Sequence, residues 1–198
     1  LIGSEAGIGT GFSGPEGFSR TPSPLDLAPL LQDPSAGQGQ QAQRVMQLLG
    51  KKQFDEALAA AVELTRALPS SPVGYNLQGA SYLGKQDLAK ARESFEKAVR
   101  VQSNYVPALM NLAQLDTRQR NLPAARARYQ SILALDAHDP LAMLGMAQVE
   151  AVDGKERAAR DWLERAKREQ PKMLEPRMLL AALDIRARAY ANAIAELK

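Results

Sequence analysis

A period of 34 residues runs through most of the chain. Positions at that interval hold an unbroken series of alanines: Ala57, Ala91, Ala125, Ala159 and Ala193. Twelve residues before each alanine the side chain is small or modest, and four residues after it the side chain is mostly bulky and apolar. Repeats of this length are typical of arrays in which each unit buries its apolar face against its neighbours. The period predicts an extended stack of similar units.

Turn signals indicate where the units end. Pro69 and Pro171 occupy the same phase of the period, with Ser103 and Ala137 at the equivalent places between them. Complete units are therefore predicted at 38–71, 72–105, 106–139 and 140–173, and a truncated fifth unit at 174–198.

Apolar residues within a unit follow helical spacing. In the unit 72–105, one apolar face is marked by Tyr75, Gly79, Tyr82 and Leu83, and a second by Leu88, Ala91, Phe95, Ala98 and Val99. Links such as 84–87 and 152–155 are rich in residues that end one helix and cap the next. Small residues are needed where two helix axes approach to about 8 Å. Each unit is therefore predicted to be a pair of antiparallel helices.

These residues carry a family resemblance. Tyr75, Gly79, Tyr82, Ala91, Phe95 and Ala98 match the pattern of the tetratricopeptide repeat (TPR) family. The chain departs from it at Gln78, Asp116, Glu150 and Glu156, where leucine, tyrosine or another apolar residue is usual. The resemblance implies an all-α fold, an α-α superhelix of helix pairs with a concave surface lined by the first helices.

Residues 1–36 do not follow the repeat. This stretch is rich in glycine, serine and proline, and such a composition favours a mostly irregular, flexible segment. The alternative is a degenerate repeat, because 25–32 could form a short helix. Gly9, Gly11 and Gly14 satisfy G-x-G-x-x-G, but no strand precedes them and Pro15 follows, so a linker is favoured over a nucleotide site. Because the chain starts at Leu1 and stops within a predicted helix, we expect it to be a piece of a longer array.

The composition gives little support to a chemical function. The chain has one histidine, His138, in a predicted turn, and no cysteine, so we predict no catalytic, metal or cofactor site and no enzyme. Arginines are dense around 118–128, but the net charge is only +3 and no aromatic platform accompanies them, which argues against nucleic acid binding. No stretch approaches the roughly 20 apolar residues of a membrane span, so direct membrane insertion is not expected.

Binding of a protein or peptide is the use that the resemblance implies. Family positions that face the concave groove correspond here to Met46, Asn76, Leu83, Met110, Gln114, Thr117, Arg118, Leu144, Gln148, Met178, Ile185 and Arg186. Methionines adapt to irregular partners, so this set suits an extended peptide or a partner helix. About half of these residues are expected instead to pack between first helices. Trp162 is predicted to pack between units.

One binding mode of the family is not expected. Chaperone-binding members hold a C-terminal carboxylate with lysine, asparagine and arginine, and the matching positions here hold Ala42, Met46, Leu77, Pro107 and Asn111. The set lacks the cations of that clamp. A cochaperone role is therefore disfavoured.

A narrower resemblance concerns the run from Tyr75 to Asp136. It resembles the TPR lipoproteins of bacterial exopolysaccharide and PEP-CTERM/exosortase loci, which implies a scaffold in the periplasm or at the outer membrane of a Gram-negative bacterium. Two alternatives stay open: a cytoplasmic peptide-binding adaptor, or the substrate-recruiting arm of a larger enzyme. An exposed apolar face formed by Leu183, Ala193 and Leu197 is also expected to favour self-association through the last unit.

Overall fold

The computed structural model describes residues 36–197. Within this range it contains ten α-helices and no strand. The helices are α1 Ala36–Gly50, α2 Phe54–Ala67, α3 Pro72–Gly84, α4 Leu88–Val101, α5 Val106–Arg118, α6 Leu122–Leu135, α7 Pro140–Val152, α8 Glu156–Glu169, α9 Leu174–Arg186 and α10 Tyr190–Glu196. The predicted irregular segment 1–36 lies outside the described residues, except that Ala36 is the first residue of α1.

The helices are arranged as five successive pairs. Each odd-numbered helix packs against the even-numbered helix that follows it, and that helix packs against the next pair. Successive pairs follow one another at about the spacing of the period, although α1 begins at Ala36, before the first predicted unit. The all-α stack of helix pairs predicted from the period is confirmed.

The turn inside every pair has the same backbone geometry. Its middle residue adopts the left-handed conformation at Lys52, Gln86, Arg120, Gly154 and Arg188, with φ between 58° and 77°. The next N–H donates back to the fifth residue before it, for example from Asp87 to the Tyr82 carbonyl over 2.9 Å. This bond satisfies a carbonyl at the helix end, as in a Schellman motif. A shared hydrogen bond therefore holds the turn, although four of the five residues are not glycine.

Several helices begin with residues suited to that place. The Asp139 carboxylate accepts hydrogen bonds from the N–H groups of Leu141 and Ala142 over 2.8 and 2.9 Å. Asp87 accepts one from the N–H of Lys90 over 3.1 Å. Proline lies in the first turn of α3, α5, α6 and α7, where its missing N–H has no helical partner to lose.

Glycine and aromatic residues pack against one another where helices cross. Gly79 of α3 lies against the ring of Phe95, and Gly145 of α7 lies against the ring of Tyr129. A Cβ atom at either glycine would overlap the ring. The five alanines of the period are buried, with exposed fractions between 0% and 4%. The small side chains expected at the crossings are therefore found there.

The core continues from pair to pair along the stack. Each of its clusters combines residues of neighbouring pairs, and the central one joins Met110 and Tyr129 to Met146 of the following pair. Trp162 is partly buried against this cluster and also against the next one, which contains Leu163 and Leu180. The predicted packing of Trp162 between units is confirmed.

In the last helix pair, the observed exposure of the apolar residues differs from the prediction. Leu183 and Ala193 are buried, each 4% exposed, and Leu197 alone of the predicted trio is exposed. Leu183 packs in the cluster that contains Ala147 and Leu163 of the preceding pair. The prediction that all three form an open apolar face was therefore wrong for Leu183 and Ala193. Other apolar residues of α9 and α10 are exposed instead.

Candidate binding groove

First helices lie on the inner side of the stack. Contacts join α1 to α3 and α5 to α7, whereas successive second helices approach one another less closely. A stack of pairs curves toward the side on which neighbours are closest, and that side forms a concave surface. The candidate groove is therefore lined by α1, α3, α5, α7 and α9.

Three of the predicted groove residues are buried between first helices. Met110 is part of the central core cluster. The Thr117 hydroxyl donates to the Ala113 carbonyl over 2.8 Å, within its own helix. The Asn76 side-chain oxygen accepts a hydrogen bond from the Asn111 amide over 3.1 Å, which joins α3 to α5. Asn76 and Met110 link neighbouring first helices, and all three residues offer little surface to a partner.

Five further residues of the predicted set are half-buried. Met46, Leu83 and Leu144 pack against the edges of three core clusters and keep part of their surface open. Gln114 and Gln148 are half-buried on α5 and α7. Because one side of each of these residues is fixed by packing, the open side is presented in a defined orientation. They form the floor of the groove.

The remaining four predicted residues are exposed. Arg118 lies at the end of α5, and the other three, Met178, Ile185 and Arg186, lie on α9. The Arg186 guanidinium is paired with Glu156 of α8 at 3.1 Å. The central part of the groove thus combines amides and apolar surface with the positive charge of Arg118.

A series of buried ion pairs runs beside the groove, and the sequence analysis missed it. Arg92 contacts Asp116 at 2.6 Å, Arg126 contacts Glu150 at 2.7 Å, and Arg160 contacts Asp184 at 2.6 Å. Each pair joins a second helix to the first helix of the next unit, across 24 residues of sequence. We call these contacts the rungs.

Additional polar groups complete the rungs. Asp116, whose side chain is 0% exposed, also accepts a hydrogen bond from Arg128 over 2.7 Å. Arg126 reaches Asp153 over 2.8 Å, and its hydrogen bonds with Glu150 raise its pKa above the ordinary value. All these charges are compensated within the protein. The rungs are therefore structural contacts between units.

The signal that could have revealed the rungs is their periodicity. Arginine recurs at Arg92, Arg126 and Arg160, 34 residues apart, and an acid recurs at Asp116, Glu150 and Asp184. The acids taken alone looked like departures from a tyrosine position. The structural role of these acids depends on the arginines of the preceding units, with which they form ion pairs.

The described residues also bear on metal binding, on the single histidine and on membrane insertion. Across residues 36–197, no group of three or more potential ligand side chains is placed to hold a metal ion. His138 is exposed, and its Nδ1 lies 2.8 Å from a carboxylate oxygen of Glu169. Among these same residues, no helix combines the length and apolar character needed to cross a bilayer.

Two curated proteins are similar to parts of the chain. A tetratricopeptide repeat domain-containing protein of Arabidopsis thaliana, PYG7 (chloroplastic), is 34% identical over 68 residues, which are 34% of this chain and 23% of that protein. Cellulose synthase 1 operon protein C of Komagataeibacter xylinus is 27% identical over 121 residues, 58% of this chain and 9% of that protein. The chain thus spans less than a quarter of either relative. No protein-family model matches it.

Solved structures match most of the chain at low sequence identity. PilF of Pseudomonas aeruginosa superposes with a TM-score of 0.73 at 17% identity, covering 80% of this chain and 72% of that one. TTC0263 of Thermus thermophilus, a TPR protein, gives a TM-score of 0.69 at 19% identity, covering 80% and 87%. YrrB, described as a TPR protein with an unusual peptide-binding site, gives 0.58 at 17% identity, covering 79% and 81%. Together with the helix pairs and their period, these likenesses establish that the chain has the superhelical fold of tetratricopeptide repeat proteins.

Proposed function

We propose that this chain is a noncatalytic scaffold that binds a peptide or a helix along its first helices. The observation that carries the proposal is the chemistry of the groove floor. Leu144 and Gln114 of the floor, with the exposed Arg118, lie on the neighbouring first helices α5 and α7, so this part of the groove offers apolar surface, an amide and a cation. Amides recognise the backbone of an extended peptide, and apolar surface takes its side chains. The peptide-binding site named for YrrB lies in a protein of the same fold.

We further propose that the scaffold serves a bacterial envelope system for exopolysaccharide production or protein sorting. The similarity to a protein named for a cellulose synthase operon supports this setting. A location in the periplasm or at the outer membrane follows from the same proposal. A cytoplasmic adaptor is the competing assignment, and fractionation of the source bacterium with an antibody against the chain distinguishes the two.

The groove is tested by peptide selection followed by matched charge changes. Peptides are selected from a displayed library against the native chain, and their affinities are measured by fluorescence polarisation. Arg118→Glu with Gln114→Glu alters the groove, and we expect affinity to fall at least about tenfold, or about 1.4 kcal/mol. The matched control is Arg157→Glu with Gln130→Glu, which makes the same changes at exposed positions of second helices.

Two results would overturn the groove assignment. One is equal loss of affinity in both double variants, which would indicate a nonspecific charge effect. The other is full binding by the groove variant, which would place the peptide elsewhere. Circular dichroism and the emission of Trp162, which is partly buried between units, report whether each variant is folded.

A further inference from the structure

Lysine and arginine are concentrated along one edge of the stack. Each pair packs as two antiparallel helices, so the turns inside the pairs share one edge and the turns between pairs share the other. Taken as four residues each, the turns inside the pairs are 50–53, 84–87, 118–121, 152–155 and 186–189. These five turns contain eight basic and two acidic residues. The four turns between pairs, 68–71, 102–105, 136–139 and 170–173, contain one lysine and two aspartates. We call the eight basic residues of the first set, all of them exposed, the basic edge.

The two acids in the turns of the basic edge are already bound to cations of the chain. Asp87 pairs with Lys90 at 3.2 Å. Asp153 pairs with Arg126 at 2.8 Å and with Lys155 at 2.9 Å. Neither carboxylate is therefore left to balance a further positive charge.

Five residues of the basic edge have no acidic partner among residues 36–197: Lys51, Lys52, Arg118, Arg120 and Arg188. Arg120 donates one hydrogen bond over 3.3 Å to the Val152 carbonyl, which does not compensate its charge. The first turns of the second helices add three acids and two bases, so the edge keeps an excess of positive charge. Uncompensated charge of one sign attracts a partner of the opposite sign.

Three of these cations occupy a backbone position that favours glycine. Lys52, Arg120 and Arg188 have φ angles of 59°, 58° and 60°, and Gly154 occupies the same place in the fourth turn. A left-handed conformation costs a residue with a side chain free energy that glycine avoids. Cations near the end of a helix complement its dipole, but they can do so without adopting this conformation. Glycine would serve the turn at least as well, so the cations here indicate a role outside the fold.

The basic edge adjoins the candidate groove at Arg118. Gln114 lies four residues before Arg118 on the same side of α5, about 6 Å along the helix axis. An extended peptide advances about 3.3 Å per residue, so two residues beyond a contact with Gln114 bring it to Arg118. The following residues of such a peptide pass the turn that contains Arg120. A ligand that leaves the groove in this direction therefore meets the basic edge.

The composition of the five turns suits a protein better than a nucleic acid or a membrane. The turns contain no aromatic residue on which bases could stack. Val152 is the one large apolar residue in them, and it is half-buried, so the edge has little to insert into a bilayer. Aspartate and glutamate side chains of a peptide supply the charge that the edge lacks.

We propose that the partner is a protein with a segment rich in aspartate and glutamate, which binds the basic edge while the adjoining residues of the same segment occupy the groove. This inference rests on the proposed function, because it assigns the charge of the ligand of the same groove. The acidic residues should act mainly on the rate of association and on the selection among competing peptides.

Binding of labelled octaglutamate, measured by fluorescence polarisation, tests the basic edge without a groove ligand. Lys52→Gln with Arg120→Gln removes two uncompensated charges, and Gln86 at the equivalent place shows that the turn accepts glutamine. We expect the affinity of this variant for octaglutamate to be at least about fivefold lower than that of the native chain. The affinity of the native chain should also fall as salt is added, because exposed charges are screened.

A matched control removes two positive charges near the opposite edge. Arg168→Gln with Lys172→Gln changes two exposed residues beside the turn 170–173. Its affinity for octaglutamate should differ from that of the native chain by less than about twofold, because the exposed charges are distant from the basic edge and screened. Equal weakening by the two double variants would show that net charge alone governs binding and would overturn the proposal.

Two further outcomes with these probes would overturn the proposal. One is the absence of octaglutamate binding by the native chain at low salt. The other is tighter binding of a single-stranded DNA with eight phosphates, or of phosphatidylserine vesicles, with the same dependence on Lys52 and Arg120. That result would assign the edge to a nucleic acid or to a membrane surface.

The link between the edge and the groove is tested with the peptides selected against the native chain. Each peptide is extended by four glutamates or by four glutamines, at one end or the other. At one end, glutamate should give at least about fivefold higher affinity than glutamine, and this gain should be lost in Lys52→Gln with Arg120→Gln.

The two proposals fail in different ways in this experiment. Groove peptides that gain nothing from glutamate at either end would overturn the acidic partner and leave the groove assignment intact. Selected peptides that do not depend on Gln114 and Arg118 would overturn the proposed function. The assignment of one ligand to both surfaces would then fall with it, whatever the affinity for octaglutamate.

Discussion

The first junction between pairs and the three that follow use different chemistry at the same positions. In the first junction the two rung positions are occupied by Leu58 and Tyr82, and Phe54 packs beside them against Gly84. In the later junctions an arginine faces a buried acid. The helix pairs nevertheless stack in the same order with the same turn geometry. The backbone arrangement is therefore compatible with either apolar or charged side chains at these positions.

The two kinds of contact differ in what happens when one partner is lost. A half-buried apolar partner that is truncated leaves a smaller contact, whereas an acid that loses its arginine stays buried with an uncompensated charge. Ion pairs of this kind contribute little net stability over an apolar contact, but they oppose mismatched pairing. The later junctions should therefore be more specific, and more sensitive to single substitutions, than the first.

The largest effect is expected from breaking the central rung. Arg126→Met leaves Glu150 buried, with its side chain only 8% exposed, while Arg126 itself is 25% exposed. The free energy of unfolding, measured by urea denaturation, should fall by about 2 to 3 kcal/mol. This is at or below the lower end of the usual range of about 3 to 5 kcal/mol, because water partly replaces the guanidinium. A loss below about 0.5 kcal/mol would show that the rung is no more important than a surface ion pair.

Converting the rung to the chemistry of the first junction provides the control. The double variant Arg126→Leu with Glu150→Tyr copies Leu58 and Tyr82, and it should recover most of the stability lost in Arg126→Met. Double-mutant-cycle coupling near zero between the two positions would contradict a direct contact.

Overpacking a helix crossing should have a smaller effect, and the same effect in both regions. Ala57 and Ala125 are each 0% exposed, and both lie at a crossing inside a pair. Substituting leucine at either position should lower the free energy of unfolding by about 2 kcal/mol. The exposed Ala127 serves as the control, since leucine there meets no neighbour that must move. Unequal losses of stability at Ala57 and Ala125 would mean that the type of contact between pairs also affects the packing inside a pair.

A single added methyl group should have a smaller effect again. In Gly145→Ala the new Cβ overlaps the Tyr129 ring, and the gain in helix propensity of about 1 kcal/mol offsets part of the cost. We expect a net loss of about 1 kcal/mol by thermal or urea denaturation. Gly39→Ala is the control, because no atom lies within 4 Å of its Cβ and the variant should be slightly stabilised. Stabilisation by both substitutions would contradict the close packing of Tyr129 on α7.

The smallest effect is expected in the pH dependence of stability. Hydrogen bonds with Lys155 and Arg126 lower the pKa of Asp153 below its ordinary value of 3.8. A lowered pKa in the folded state stabilises the fold above the unfolded value, and this contribution is lost as the pH falls through the folded pKa. Asp153→Asn should therefore be less stable than the native chain at neutral pH, and the difference should disappear as the pH falls from about 4 toward about 2. A difference that is the same at all pH values would exclude the ion pair as its cause.

The sequence predicted the fold well because the fold depends on local rules. The 34-residue period, the small residues at crossings and the helical spacing of Leu88, Ala91 and Phe95 are each visible within one unit. The rungs could not be predicted from one unit, because Asp116 taken alone is only an unusual residue at a position where tyrosine is common. Its role appears only beside Arg92 and Arg128, which the stacking of units brings to it.

The groove was harder to predict for a related reason. Positions carried over from the family share a side of a helix, but the distance between neighbouring first helices decides which of them stay open. Met110 is buried, whereas its counterpart Met178 is exposed. Leu183 and Ala193 were expected on an open face and are instead buried, Leu183 in a cluster with Ala147 and Leu163 of the preceding pair. The exposure of a side chain in the stack thus depends on the neighbouring units, which the sequence of a single unit does not reveal.

The repetition of the rungs also makes the central units exchangeable. Removing residues 106–139 would place Arg92 opposite Glu150, and removing 140–173 would place Arg126 opposite Asp184, so the charges still match. Removing 72–105 would instead set Leu58 against Asp116 and bury a carboxylate beside an apolar side chain. Length can therefore change by whole units through duplication or deletion in the middle of the array, while the first unit is tied to its present neighbour.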